Sequence, residues 1–473
     1  METKVIIKGI KWAAIEYAFN TVFRFLVKLI LAKLLMPADF GLVGMASIFI
    51  AVASAASELG MSAALIQKKT DEEATPLYNT AFWSGLALGA LFFLIMSLLV
   101  TPFAASFYNE PILKKLIPVL CIGILVNPLN LIHNVILVRS MNFKNVASVN
   151  NLSALMAGMA GLIAALAGTG VWALAIYNTL SVVLSVPLFY SRTKWKPGME
   201  WKWRYFTRIF RFGIFSTGTS VFSTITYNID NLMIGKIIGS SALGAYTLAF
   251  SLTEILRQAI SSIINKVMYP VFGKEQNNTL TLKTYFLKIV NINAIVMYPI
   301  MMYLFLFADN LIPFIFGEKW TDAVVPLQIL SLAIMVHLII NSFASLLRGL
   351  GFPEIEFKII LTTTLLVLIP SLYFGITNWG LIGAASAIFV NKIALGIISI
   401  AVLNKHIHLK IKELVHELRS PVISLLLVSP LVLLFRSTLP FEMLTFLYWL
   451  GYSGMIYLME KKKIREILKR INE

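Results

Sequence analysis

The sequence is short of charge, cysteine and histidine. Only 13% of its 473 residues are charged, about half the ~25% that is usual in a soluble globular protein. Because Cys121 is the single cysteine, structural disulfides within the chain and cysteine-based metal sites are excluded. We also find no P-loop, no glycine-rich dinucleotide turn and no His/Cys metal spacing. These absences argue against ATP-driven work by this chain alone, and we expect neither a cofactor nor an enzymatic activity.

Long apolar runs dominate what is present. Hydrophobic residues make up 58% of the chain and the mean hydropathy is +0.81. Runs of about 20 apolar residues, the length that crosses a bilayer as a helix, recur about fourteen times. The first run is too long and too charged for a cleavable signal peptide. The sequence therefore predicts an all-α integral membrane protein. The predicted spans are 12–35, 40–60, 79–101, 116–138, 146–167, 170–191, 206–228, 242–264, 284–307, 324–347, 355–375, 379–403, 421–435 and 442–459.

The basic residues are distributed unevenly between the two sides of these spans. The net charge is +17, and roughly three quarters of the Lys and Arg lie at the N-terminus, in loops after even-numbered spans and in the C-terminal tail. The densest basic block is 192–211, between spans six and seven. The positive-inside rule then predicts a cytoplasmic membrane protein with both termini in the cytoplasm. Anionic membrane lipids, and not nucleic acid, are the predicted partner of this charge.

An internal repeat relates the two halves of the chain. Residues 29–46 align with residues 232–249, which places Gly41 opposite Gly244. Weaker matches at the ends of spans four and ten, and at the starts of spans six and twelve, have nearly the same offset. Six spans per repeat predicts two parallel lobes around a central site. The predicted domains are an N-terminal lobe at 1–200, a C-terminal lobe at 201–404, and an amphipathic cytoplasmic linker, two further spans and a basic tail at 405–473.

The first span carries a polar row that a lipid-facing helix would not tolerate. Glu16, Asn20, Arg24 and Lys28 recur every fourth residue and so share one helical face. Arg24 lies ~18 Å from either end of the span, too far to reach water. An arginine there costs ~2.5–3.5 kcal/mol unless it faces a polar interior. We therefore expect Arg24 and Lys28 to line a cationic cavity and bind an anion such as phosphate. The alternative is that Arg24 pairs with Glu16 or a neighbouring helix.

Other intramembrane charges are secondary candidates. Glu254 and Arg257 share a face of span eight at i, i+3, which favours an internal ion pair. Alternatively, Arg257 binds substrate in the cavity and Glu254 binds a coupling ion, H⁺ or Na⁺. Lys392 in span twelve is a further candidate for the cavity. Asp230, at the outer end of span seven, is either a gate residue or part of a helix end, and Glu16 and Asn20 are also candidates for gating or coupling.

Several stretches resemble a known transporter family. They are Leu34-Leu-Met-Pro-Ala-Asp-Phe-Gly41, Glu58-Leu-Gly-Met-Ser-Ala-Ala-Leu-Ile-Gln67, and Asn228-Ile-Asp-Asn-Leu-Met-Ile-Gly-Lys236 with Leu243-Gly-Ala-Tyr246. Together they resemble the Wzx-type polysaccharide transporters, nearest to the WzxC/TuaB-like branch. The resemblance implies the fold of the multidrug/oligosaccharidyl-lipid/polysaccharide (MOP) exporters, with two six-helix lobes around a cavity. It also implies flipping of a polyprenyl-pyrophosphate-linked oligosaccharide to the outer leaflet, with polysaccharide polymerase or assembly proteins as partners.

Three other functions stay open at this point. A lipid II flippase needs the same chemistry and also has fourteen spans. A drug/cation antiporter of the sibling branch would need an acidic cavity, whereas the mid-membrane charges here are mostly positive. A membrane-embedded glycan-processing protein would be expected to have a carboxylate-rich loop, and the longest loops here are short and basic.

Overall fold

The computed structural model describes residues 19–67 and 74–472. Within these ranges all regular structure is helical, which confirms the predicted all-α class. By internal contacts the chain forms two compact units, Met1–Thr247 and Leu248–Glu473. The lobe boundary near residue 200 and the other predicted domain limits stay predictions. Glu16 lies outside the described residues, so its proposed role also stays a prediction.

The first unit holds the helices that begin the chain and the start of a long helix that continues into the second unit. The first helix, α1, spans residues 19–34 of the described part. The others are α2 (Pro37–Glu58), α3 (Met61–Gln67), α4 (Ala74–Ile95), a π-helical turn (Met96–Val100), α5 (Thr101–Tyr108), α6 (Leu113–Arg139), α7 (Phe143–Leu166), α8 (Val171–Arg192), α9 (Trp203–Ile237) and the start of α10 (Ser240–Lys274).

The second unit contains the rest of α10 and the helices after it. They are α11 (Thr279–Phe316), a 3₁₀ turn (Glu318–Ala323), α12 (Val324–Ile339), α13 (Phe343–Gly349), α14 (Pro353–Thr363), a π-helical turn (Thr364–Leu368), α15 (Ile369–Ile407), α16 (Ile411–Leu434) and α17 (Phe441–Asn472).

The helices account for the predicted membrane spans. Among the described residues, nine stretches are long and apolar enough to cross a bilayer. One of them, Pro353–Ile407, covers two predicted spans. The chain kinks between these spans at Gly380 in α15, which has a φ of +57°. Helices α1, α9, α10 and α17 coincide with the remaining predicted spans. The chain is therefore a multi-pass membrane protein.

The Met-Pro-x-Asp stretch marks the start of α2. Pro37 occupies the first turn, where its missing N–H costs nothing. The Asp39 carboxylate accepts a hydrogen bond from the backbone N–H of Met36 at 3.0 Å, and its charge is favourable at a helix N-terminus. This part of the family-like motif therefore has a structural reason in the local backbone.

Both π-helical turns precede a proline. Pro102 and Pro370 each come two residues after a π turn. Proline lacks an N–H and its ring clashes with the preceding turn, so an extra residue in that turn relieves the clash. At the first π turn, the Thr101 hydroxyl also donates to the carbonyl of Met96 at 2.7 Å. These turns bend α4–α5 and α14–α15 without breaking them.

Helices α2 and α10 cross with their backbones in direct contact. A Cβ atom on Gly41 would lie 1.7 Å from the carbonyl oxygen of Ser240, and one on Gly244 would lie 1.8 Å from that of Pro37. Gly41 and Gly244 occupy equivalent positions in the sequence repeat, and Pro37 and Ser240 have the same offset. The contact is therefore reciprocal, as it would be across a local two-fold axis. Small residues permit such close crossings in membrane proteins.

The C-terminal helices pack on α11 in the second unit. The Tyr448 hydroxyl donates to the carbonyl of Pro299 at 2.7 Å, and the Tyr452 hydroxyl donates to that of Ile295 at 2.9 Å. Helix α16 begins at Ile411, inside the predicted amphipathic linker, and continues through span thirteen. Its first turn is held by an ion pair of Glu413 with Lys283 at 2.8 Å.

Candidate functional site

Helix α1 packs with its apolar residues on one side, and the two cations of the polar row lie along that side. Val27, Leu31 and Leu35 are almost fully buried, in a cluster with alanines of α7 and α8. Arg24 and Lys28 lie seven residues before Leu31 and Leu35 on this same side of the helix, and both are exposed. Because cations do not face hydrocarbon at mid-membrane, this side must meet a polar environment. The packing of Val27, Leu31 and Leu35 thus fixes the orientation of α1, with the Arg24 and Lys28 side chains exposed beside these contacts.

Arg24 is oriented by a short hydrogen-bonded chain. Its Nε donates to the side-chain oxygen of Asn20 at 3.3 Å, and the Asn20 amide donates in turn to Asn151 on α7. The two terminal guanidinium nitrogens of Arg24 have no acceptor among the residues that the structure describes. These nitrogens form the part of the guanidinium that binds phosphate oxygens in pairs. Asn20 therefore positions Arg24 and leaves its outer edge open.

Lys28 lies one turn further along the same face. Within the described residues it has no carboxylate within 4.0 Å. Like charges at i and i+4 repel each other on a helix. An anion between them would remove that repulsion, and a pyrophosphate has enough oxygens to contact both. Arg24 and Lys28 are thus brought together as the polar row predicts.

A polar cavity of about 280 Å³ lies beside Arg24, inside the first unit. Among the described residues, amide and hydroxyl groups dominate its lining, together with one cation and one carboxylate. Helices α1, α2, α3, α6, α7 and α8 contribute to its wall. The lining residues are Arg24, Glu58, Ser62, Asn127, Asn130, Leu131, Asn134, Asn150, Ser153, Ser181, Val182, Ser185 and Phe189.

The asparagines of α6 have unused hydrogen-bonding capacity. Asn130 is only 6% exposed, and its amide NH₂ donates to Ser185 at 2.8 Å and to the carbonyl of Val182 at 3.3 Å. The side-chain oxygens of Asn130 and Asn134 are buried without a partner among the described residues. Leaving such a group unpaired costs about 1–3 kcal/mol. The cavity wall is therefore built to accept a ligand or water.

The sequence contains a signal for this cavity that charge patterning alone does not reveal. Asn127, Asn130 and Asn134 share one face of α6 at i, i+3 and i+7, and Ser181 and Ser185 share one face of α8. This is the same periodicity that marks the polar row of α1. The sequence-based prediction missed these residues because it weighted charged side chains over neutral amides and hydroxyls.

The second unit has its own polar cluster. Arg257 and Glu254 form the two-point ion pair that their spacing predicts, with Nε to Oε2 at 2.9 Å. Arg257 also donates to Asn341 at 3.2 Å. Lys392 on α15 lies near enough to Glu254 for their charges to interact, and His337 lies near Lys392 and Arg257. The ion-pair prediction is confirmed, and the substrate and coupling roles of these residues stay predictions.

Asp230 is separate from both groups. Its carboxylate is 4% exposed and accepts hydrogen bonds from the Tyr246 hydroxyl at 2.6 Å and from the N–H of Asn231 at 2.9 Å. The Asp-x4-Gly-Lys…Leu-Gly-x-Tyr stretch thus ties α9 to the start of α10. Its gating role stays a prediction. Among the described residues, no group of His, Cys, Asp or Glu has the arrangement of a metal site.

The fold is similar to that of solved membrane transporters. It matches the inward closed conformation of a lipid II flippase, MurJ, with a TM-score of 0.76 at 15% identity, over 96% of this chain and 100% of that one. It matches the inward-facing conformation of a multidrug resistance MATE family transporter of the MOP superfamily with a TM-score of 0.63 at 16% identity, over 82% and 94%. The fold is that of the MOP exporters, as the sequence motifs predicted.

Sequence comparison then identifies the family. A family described as "Polysaccharide biosynthesis protein" matches residues 30–325, and the chain belongs to it. The chain is 25% identical to the lipopolysaccharide biosynthesis protein WzxC of Escherichia coli, over 84% of this chain and 81% of that protein. It is 26% identical to the teichuronic acid biosynthesis protein TuaB of Bacillus subtilis, over 75% and 73%. These matches confirm the predicted resemblance to the Wzx-type transporters of the MOP superfamily.

Proposed function

We propose that this protein flips a polyprenyl-pyrophosphate-linked oligosaccharide across the cytoplasmic membrane. The family supports a role in polysaccharide export, since a further relative, 23% identical over 74% of this chain, is the succinoglycan biosynthesis transport protein ExoT of Rhizobium meliloti. The single observation that carries the finer proposal is the pair of exposed α1 cations, Arg24 and Lys28, with no carboxylate partner among the described residues.

The physical task explains why such a pair is needed. The headgroup is large, hydrated and doubly phosphorylated, and must cross a hydrocarbon layer of ~30 Å. Arg24 and Lys28 replace the hydration of the pyrophosphate with charged hydrogen bonds, while the prenyl chain stays in lipid. Alternating access between the two repeats then exposes the bound headgroup to either side. Arg257 and Lys392 are the proposed contacts from the second repeat.

The direction of flipping and its energy source belong to the same proposal. With both termini in the cytoplasm, the substrate enters from the cytoplasmic leaflet, where lipid-linked sugars are assembled. A gradient of H⁺ or Na⁺ is the proposed source of energy. The carboxylates considered for coupling or gating, Glu254 and Asp230, interact with Arg257 and Tyr246 respectively. An ion that binds at either position would have to compete with that partner.

Reconstituted flipping tests this function. Purified protein in liposomes is supplied with prenyl-pyrophosphate oligosaccharides that carry a fluorescent tag on the terminal sugar. A quencher added outside the liposomes removes the fluorescence of outward-facing tags, and the fluorescence that remains measures the inward-facing ones. We expect wild-type protein to flip them and Arg24→Ala to lower the rate by roughly 10–100-fold, since one charged hydrogen-bonding group contributes about 1.5–3 kcal/mol. Lys33→Ala, which removes another exposed cation of α1, is the matched control and should stay within about twofold of wild type.

The substrates included in the assay separate the remaining alternatives. Lipid II and a fluorescent cationic drug are tested beside the oligosaccharide lipids. Preferential transport of lipid II would indicate the lipid II flippase alternative, and transport of the cation alone would indicate the antiporter. Wild-type flipping by an Arg24→Ala protein that is present at wild-type amount would contradict the proposed role of α1.

A further inference from the structure

We propose that the polar cavity beside Arg24 binds one uncharged, hydroxyl-rich sugar ring of the substrate. The inference rests on the proposed function in one respect only, that the ring belongs to the lipid-linked molecule. The cavity lies wholly within the first unit, among α1, α6, α7 and α8 and the α2–α3 junction. Its volume of about 280 Å³ is at the low end of the ~300–1,000 Å³ that is typical of small-molecule sites. It therefore fits a single ring and not a whole oligosaccharide.

The charge of the cavity favours a neutral ligand. Among the lining residues that the structure describes, Arg24 is the one cation and Glu58 the one carboxylate, so this part of the wall carries no net charge. An anion alone would be repelled by Glu58, and a metal ion by Arg24. The other polar side chains are asparagines and serines. A ligand without formal charge is the chemistry that this balance fits.

The side chains that line the cavity can both donate hydrogen bonds to sugar hydroxyls and accept hydrogen bonds from them. An asparagine amide offers two donors and a carbonyl acceptor, and a serine hydroxyl both donates and accepts. Each sugar hydroxyl also donates and accepts, so an array of amides and hydroxyls can pair with it without leaving a group unsatisfied. The buried side-chain oxygens of Asn130 and Asn134 have no partner among the described residues. Ring hydroxyls would supply the two donors that these oxygens lack.

The position of Arg24 indicates which sugar ring of the substrate would occupy the cavity. Its side chain belongs both to the exposed cationic row and to the cavity wall. If its guanidinium contacts the pyrophosphate, a ring in the adjacent cavity is the one joined directly to that pyrophosphate. The cavity would then discriminate among substrates by the hydroxyl pattern of this ring. A site built to bond hydroxyls rejects analogues that lack them far more strongly than an apolar pocket does.

Binding of lipid probes with and without a sugar, to wild type and to variants of the cavity wall, tests the site. Protein in nanodiscs is titrated with farnesyl pyrophosphate and with the same lipid carrying one neutral hexose, and both dissociation constants are measured. We expect the hexose to tighten binding to wild type by at least roughly tenfold. Asn134→Leu, which removes an amide with no hydrogen bond among the described residues, should reduce this gain below about threefold. Asn127→Leu, at an exposed position of the same wall, should reduce it in the same direction.

Asn178→Leu is the matched control. Asn178 lies on α8 outside the cavity lining, and its amide donates to the carbonyl of Leu174 in its own helix. This variant should keep the full gain from the hexose. A farnesyl pyrophosphate that carries a uronic acid should gain less than the hexose, because the acid meets Glu58.

The outcomes separate this inference from the proposed function. Equal affinity for the two probes in wild type, as expected if the cavity holds only water, would overturn the sugar site but leave the flippase proposal standing. An undiminished gain in both Asn134→Leu and Asn127→Leu would also overturn it, as would binding of the hexose probe that depends on Na⁺. Failure of both probes to bind, with no effect of Arg24→Ala, would instead contradict the proposed function.

Discussion

At the scale of single residues, the central feature is an arginine that the bilayer should exclude. Arg24 lies beside the packed leucines of its own helix, and Asn20 accepts a hydrogen bond from its Nε. The cost of a mid-membrane cation is therefore offset by a polar environment and, in the proposed function, by a ligand phosphate. Arg257 is stabilised differently, since a carboxylate in its own helix neutralises it. Among the described residues, the terminal guanidinium nitrogens of Arg24 thus have no acceptor, whereas Arg257 is paired with Glu254.

The Glu254–Arg257 pair yields a prediction about stability. Glu254→Gln leaves the Arg257 cation uncompensated inside the membrane, so we expect a loss of about 3–5 kcal/mol in the free energy of unfolding. The double variant Glu254→Gln/Arg257→Gln should recover most of that loss, because the Arg257 charge is then removed together with its partner. Denaturant titration of the detergent-solubilised protein measures both.

The more exposed pair of the second unit serves as control. Lys283 and Glu413 are bridged at 2.8 Å, and Glu413 keeps 32% of its side-chain area exposed. Glu413→Gln should cost no more than about 1 kcal/mol. If Glu254→Gln lowers the free energy of unfolding as little as Glu413→Gln does, Glu254 does not compensate a buried Arg257 charge.

Prediction from sequence succeeded at this scale where charge marked the residue. The spacing of Glu254 and Arg257 is enough to predict their pairing, because residues at i and i+3 meet on a helix. The fourfold period of the α1 row likewise predicts that Asn20, Arg24 and Lys28 share a face. The cavity asparagines could not be assigned, since which faces of α6, α7 and α8 converge depends on tertiary packing.

At the scale of helices, hydropathy predicted nearly every element and missed where the elements end. A hydropathy window detects only the apolar part, so α10 and α11, which run Ser240–Lys274 and Thr279–Phe316, extend well past their predicted spans. Helix α16 likewise begins ten residues before predicted span thirteen, at Ile411. The repeat alignment paired Gly41 with Gly244, but only the structure shows that these equivalent positions also meet.

The glycine crossing of α2 and α10 yields a second stability prediction. Gly41→Ala and Gly244→Ala each place a methyl group against a backbone carbonyl of the other helix, which must then move. We expect each to cost about 1–3 kcal/mol, as overpacking does. Because both report on one crossing, the double variant should cost less than the sum. Thermal unfolding of the purified protein measures the three losses.

Gly454 provides the matched control for the crossing. A Cβ atom there meets nothing within 4 Å, and the residue lies within α17. Gly454→Ala should be neutral or stabilising by up to about 1 kcal/mol, because alanine favours the helix. Additive losses for Gly41→Ala and Gly244→Ala would show that the two glycines do not share one contact.

At the scale of the whole molecule, composition already indicated a multi-pass helical protein, and the family and fold comparisons agree. The fold does not identify the substrate, because the same fold occurs in a lipid II flippase and in multidrug transporters. Fold alone therefore does not determine what is moved. In this chain the distinguishing features are the two α1 cations and the neutral amide-lined cavity beside them.

The most direct test of the central claim compares one oligosaccharide on two lipids. Liposomes containing the protein receive the tagged oligosaccharide either on prenyl pyrophosphate or on an uncharged prenyl lipid without phosphate. If Arg24 and Lys28 hold the pyrophosphate, wild-type protein should flip the charged lipid at least roughly 100-fold faster, and Arg24→Ala/Lys28→Ala should bring the ratio close to ~1. Equal flipping of both lipids by the wild-type protein would contradict pyrophosphate recognition by α1.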